Sequence, residues 1–88
     1  MKRINVIIDK GENLVKEHRT LLFLEHNGLF ILYVLTKGAN PEHCIGRTNF
    51  EDIVVFAQNY LKGIGKYEVF EPKGFDTETM AIYEKLRL

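Results

Sequence analysis

Two apolar runs, residues 20–26 and 29–36, are separated only by Asn27-Gly28, and no other stretch constrains the fold as tightly. A type I′ turn needs positive φ at both of its central positions, which Asn and Gly tolerate, so the segment reads as a β-hairpin. A two-residue loop also sets the register, placing 26 opposite 29, 24 opposite 31 and 22 opposite 33. Side chains alternate along a strand. One face then carries Leu22, Leu24, His26, Leu29, Ile31 and Tyr33, and the other Leu21, Phe23, Glu25, Phe30, Leu32 and Val34. A sheet with one wet face should alternate apolar and polar residues. This one is apolar on both, so each face calls for cover, from helices of the same chain or from a second copy.

Other segments fall into place around the hairpin. Residues 4–8 (Ile-Asn-Val-Ile-Ile) are rich in β-branched side chains and read as a strand, punctuated by residues 9–13. Residues 13–19 suit either a short helix or an extended lead into the hairpin. Residues 37–47 read as a loop, marked by Gly38, Asn40-Pro41 and Gly46. Thr48-Asn49-Phe50-Glu51 fits a capping box, with Thr48 as N-cap. The apolar stripe Phe50, Ile53, Val54, Ala57, Tyr60, Leu61 predicts a helix over 49–62, with Gly63 as its stop. Residues 66–71 alternate and read as a strand ended by Pro72. For 76–88 the acidic start and basic end suit a helix dipole, although Met80, Ile82, Leu86 and Leu88 also alternate, so a strand is its rival. The expected architecture is one α+β domain over residues 1–88. It has a small antiparallel sheet around the 20–36 hairpin and the capped helix on one face.

The chain's 88 residues suit one domain. Such a domain buries only about 60–65% of the surface its unfolded chain exposes, so self-association is an effective way to gain stability. The single Cys44 excludes an internal disulfide framework. The longest apolar run, Leu29 to Leu35, has seven residues, far short of the roughly 20 that span a bilayer. The basic start at Lys2-Arg3 is followed by too short an apolar run for a signal peptide. A cytoplasmic location without membrane attachment is the expectation.

Twelve basic residues balance twelve acidic ones, which argues against coating nucleic acid by bulk charge. The balance is global but not local. Residues 1–20 hold five basic groups against three acidic ones, and Lys2, Arg3, Lys10, Lys16, His18 and Arg19 form a candidate phosphate-contacting set. Aromatics such as Phe23, Phe30, Tyr33, Tyr67 and Phe70 are of a kind that stacks on RNA bases, but they sit among leucines and read as core.

Catalytic signals are thin. His43-Cys44 places an imidazole beside a thiol, a pairing that can make a nucleophile, yet no third group is in view to orient it. His18, His26, His43 and Cys44 are too scattered for metal-ligand spacing. Gly63-Ile64-Gly65-Lys66 follows a helix and precedes a strand, the reverse of a phosphate-binding loop. No cofactor or metal is expected. The leading expectation is a non-catalytic protein-binding module, a regulator, adaptor or inhibitor, acting through its apolar sheet surface (Leu22, Leu24, Leu29, Ile31, Tyr33) and forming a homodimer. A chain beginning at Met1 suits a stand-alone phage or bacterial accessory factor. The alternatives are an RNA- or DNA-binding protein using the basic N-terminal third, and a small enzyme or ligand-binding protein using His43, Cys44 or Arg47 in the 37–47 loop.

Overall fold

The computed structural model describes residues 2–9, 16–36, 41–74 and 76–87. They form an α+β fold of five antiparallel strands and two helices. In chain order these are β1 (Lys2–Asp9), β2 (Lys16–His26), β3 (Leu29–Thr36), β4 (Pro41–Arg47), α1 (Phe50–Ile64), β5 (Lys66–Val69) and α2 (Thr77–Leu86). The sheet runs β4-β3-β2-β1-β5. Helix α1 therefore carries the chain from one sheet edge to the other.

The hairpin has the expected register, with His26 opposite Leu29, Leu24 opposite Ile31 and Leu22 opposite Tyr33. Asn27 and Gly28 take φ of 51° and 78°, the pair of positive angles that the turn demands. Residues 16–19 are extended and lengthen β2, which settles that part of the ambiguous segment, while 13–15 lie outside the described residues.

Several boundaries differ from expectation, beginning with β1, which spans Lys2–Asp9 where residues 4–8 were expected. Residues 41–47 are a strand rather than part of a loop; Pro41 opens it at the sheet edge, where a missing amide hydrogen is tolerated. The register shifts between Val34 and Leu35, so β4 joins the sheet through an irregularity that local sequence does not announce. The N-cap of α1 is Asn49, not Thr48. Its side-chain oxygen accepts from the Glu51 amide at 3.0 Å, which leaves Glu51 in the first turn instead of at the capping-box position. The helix also runs past Gly63 to Ile64, which packs against the core, and ends at Gly65 with φ 150°. Strand β5 stops at Val69, although the Phe70 amide still donates to the Asn5 carbonyl at 2.9 Å.

Segment 77–86 is a helix, as first expected, and not a strand. Asp76 caps it: one carboxylate oxygen accepts from the Glu78 and Thr79 amides at 3.0 and 3.4 Å, and the other accepts from the Thr79 hydroxyl at 2.8 Å. Thr79, Ile82 and Leu86 follow helical spacing and are buried. Both helices lie on the same side of the sheet. One core joins Ile4, Val6, Ile8, Leu21, Phe23, Leu32 and Val34 of the sheet with Ile53, Val54, Ala57, Leu61, Ile82 and Leu86 of the helices. The Tyr67 hydroxyl closes the far end of this layer by donating to the Leu86 carbonyl at 2.8 Å, and burial raises its pKa.

Candidate functional site: the open face of the sheet

Strand alternation divides the hairpin between two environments. Leu21, Phe23, Leu32 and Val34 point under the helices and are essentially inaccessible. Their chain neighbours Leu22, Leu24, Ile31, Tyr33 and Leu35 point the other way and are partly buried, by sheet neighbours, while Leu29 is 39% exposed. Among the described residues no helix lies over this second face. The C-terminal helix α2 packs beside α1 on the first.

Register shows how the open face is laid out. Cys44 of β4 stands opposite Tyr33, Tyr33 opposite Leu22, and Leu22 opposite Arg3. In the next row toward the turn, Gly46 stands opposite Ile31 and Ile31 opposite Leu24. Leu29 folds over Gly46, where an added Cβ would sit 3.0 Å from Leu29 Cδ2. Glycine there is what lets the leucine lie flat. Away from the turn the rows become polar: Thr20 with Asn5, His18 with Ile7 and Glu68, and Lys16 with Asp9 and Lys66. The face is thus apolar over β2, β3 and β4 toward the turn and mixed in charge over β1 and β5.

All five residues expected to form an interface, Leu22, Leu24, Leu29, Ile31 and Tyr33, share this face. Leu35 belongs with them and was legible in the same register, since it stands opposite Thr20. Cys44 joins only because 41–47 is a strand. It is exposed, and its contact with the Tyr33 hydroxyl holds that phenol above its ordinary pKa. Phe70, 41% exposed beside Asn5, was read as core because alternation alone does not tell which face is covered.

The basic set is not brought together. Lys2 lies toward the helices and pairs with Glu78 of α2 at 2.9 Å, and that contact raises its pKa. Arg3, Lys16 and His18 are on the open side. Arg19 is 9% exposed on the helix side, held by Glu17 at 2.6 Å, by Glu42 at 3.1 Å and by the Tyr60 hydroxyl at 3.2 Å. Burial works against its charge, but the Glu17 carboxylate, Tyr60 and Glu42 outweigh it, and the guanidinium pKa is raised. This network ties β2, β4 and α1 together. Lys10 lies outside the described residues.

The residues of the expected loop site also separate. His43 turns toward α1, with its ring 5.2 Å from that of Tyr60 and 6.2 Å from that of Phe56. Cys44, the next residue, faces the opposite side of the sheet with Tyr33. Arg47 bonds the Gly46 carbonyl at 2.8 Å. No group of three or more potential metal ligands occurs among the described residues.

One cleft, of about 340 Å³, opens between the turn end of the sheet and the helices, over Phe23, Phe30, Phe50 and Ile82. Phe50 sits edge-on to Phe30 with ring centres 5.4 Å apart. The cations at its rim are engaged, Lys2 by Glu78 and Lys85 by Glu51, and Glu25 also stands there, so the cleft presents an apolar floor without an unpaired cation among the described residues. None of the described helices is long and apolar enough to cross a membrane. Comparison with known proteins returned no match: no family model, curated protein or solved structure resembles this chain significantly.

Proposed function

We propose that this chain is a non-catalytic protein-binding module, a regulator, adaptor or inhibitor, that acts from the cytoplasm through the open face of its sheet. The observation that carries the reading is the run of Leu22, Leu24, Leu29, Ile31, Tyr33 and Leu35 on a face over which no described helix lies. Contiguous, partly exposed apolar surface of this kind, rimmed by polar residues, suits an association site. Two further facts support it. His43 and Cys44 diverge to opposite faces, so they do not form a nucleophile and base pair, and the basic residues divide between the two sides of the sheet, with Lys2 and Arg19 held by carboxylates.

The test compares three baits at equal concentration: the wild type, Leu22→Lys with Ile31→Lys on the open face, and Val55→Lys on the exposed side of α1. A protein held in 1:1 ratio by the wild type and by Val55→Lys, but lost by the open-face variant, is the expected result. A partner retained by the open-face variant sinks the reading. So does oligonucleotide binding that falls steeply with salt and vanishes on charge reversal of Arg3 and Lys16.

A further inference from the structure

Resting on the reading of the open face as a protein-binding surface, we propose that its occupant is a second copy of this chain, packed sheet on sheet about a two-fold axis. Shape comes first. The five strands give a face about 24 Å wide at roughly 4.8 Å per strand, and eight residues give it a length of about 26 Å. A single helix, about 10 Å across, leaves more than half of that width wet. A sheet covers all of it, because two sheets stack about 10 Å apart with strand directions within about 30°. The identical face of a second copy has the required width and length.

Area comes second. The footprint is roughly 600 Å² per copy, so pairing two faces removes about 1,200 Å² from water, which reaches the lower bound of specific interfaces. The charges are also compatible. The open face carries Arg3, Lys16 and Lys66 against Asp9 and Glu68, with Asp9 directly between Lys16 and Lys66. Together with a net charge of zero, this leaves no single-sign field to repel a copy, or to draw in an anionic lipid surface or nucleic acid. A two-fold axis near the Tyr33 and Leu22 row sets the apolar half on the apolar half. It leaves Lys16, Lys66 and Glu68 toward a polar rim.

Sedimentation equilibrium of the whole chain between about 1 and 200 µM tests this, with far-ultraviolet circular dichroism as the check on folding. The expected result is a reversible dimer. Leu24→Glu should weaken it about 100-fold or more, because the symmetry buries the new charge twice. Leu29→Glu, a milder change at a more exposed position, keeps the test valid where Leu24→Glu fails to fold. Val55→Glu on α1 should leave the dimer intact. Alkylation of Cys44 should slow as protein concentration rises through the dissociation constant. A strict monomer at 200 µM overturns the proposal, as does a dimer indifferent to both open-face variants or one that leaves Cys44 equally reactive. An apolar dye separates the two readings in the monomer case. Dye bound by the wild type and lost in Leu24→Glu means the face stands open for a different protein, so only the self-pairing fails. No dye bound by either means the face is not an association surface, and the broader reading fails with it.

Discussion

Leu21 and Leu22 are the same residue, one peptide bond apart, in the same strand. Leu21 meets Val34 and Ile4 across the sheet under two helices and is fully buried, whereas Leu22 meets Tyr33 and Arg3 on a face that no described helix covers. The contrast continues along the hairpin, Phe23 against Leu24 and Leu32 against Ile31. Nothing in residue type separates the two sets. What separates them is which side α1 and α2 pack on, and from that follows the division of labour: one face holds the fold together and the other is left to associate.

The largest expected effect tests this contrast directly. Leu21→Ala should cost about 3 kcal/mol in urea unfolding, the transfer term plus the cavity left behind. Leu22→Ala, measured in dilute solution, should cost about 1 kcal/mol or less, since its site is already partly wet. Equal costs would mean that the outer face is packed as tightly as the inner, and the division would fall.

Next in size is the contrast between the neighbours Arg19 and His18. Arg19→Met should cost about 2 kcal/mol, because it removes the guanidinium that Glu17, Glu42 and Tyr60 share. That figure lies below those for fully buried pairs, as both carboxylates remain about a third exposed and water screens them. His18→Ala, on the open side, should stay within about 0.5 kcal/mol. Thermal unfolding of the two variants side by side gives the comparison.

Smaller effects concern the helices that keep the inner face dry. Asn49→Ala should cost about 1 kcal/mol and Thr48→Ala much less, because Asn49 holds the Glu51 amide. The reverse order would restore the capping box centred on Thr48.

Acid should loosen the other helix. The hydrogen bond from the Thr79 hydroxyl, opposed by desolvation and supported by the Thr79 and Glu78 amides, holds the Asp76 carboxyl below its ordinary value of 3.8. A depressed carboxyl contributes stability above its unfolded pKa and loses it as pH falls through the folded value. Helix signal and melting temperature should therefore decline below about pH 4, and Asp76→Asn, which keeps an oxygen to cap with but does not titrate, should flatten that slope. An unchanged slope in the variant would assign the acid sensitivity elsewhere.

Much of the fold was legible because its signals are local. Asn27-Gly28 names its own turn, and the turn names the register of sixteen flanking positions. The stripe from Phe50 to Leu61 names a helix, and the acidic start and basic end of 76–88 favour helix over strand. Where local signals compete, the reading drifted. Thr48 and Asn49 both cap well, and the choice fell to the residue whose side chain reached an amide first. Gly63 and Gly65 both suit a helix stop, and Ile64 decided between them by packing on the core. Residues 41–47 hold Pro41 and Gly46, which locally mean a loop. They become a strand only because β3 presents an unpaired edge whose hydrogen bonds outweigh that preference. The same strand pulled His43 and Cys44 apart and brought Cys44 to Tyr33.

The candidate site followed the same pattern. The amino-acid sequence alone determined that Leu22, Leu24, Leu29, Ile31 and Tyr33 share one face, because the side-chain period of a strand is two and a two-residue turn permits one register. It also determined that this face is as apolar as the one behind it. Only the tertiary structure decided which of the two becomes core. Two apolar faces are equivalent to a sequence pattern, and the tie is broken by the crossing of α1 between distant sheet edges and by the docking of α2 beside it. Both are contacts between residues far apart in the chain, and no local rule contains them.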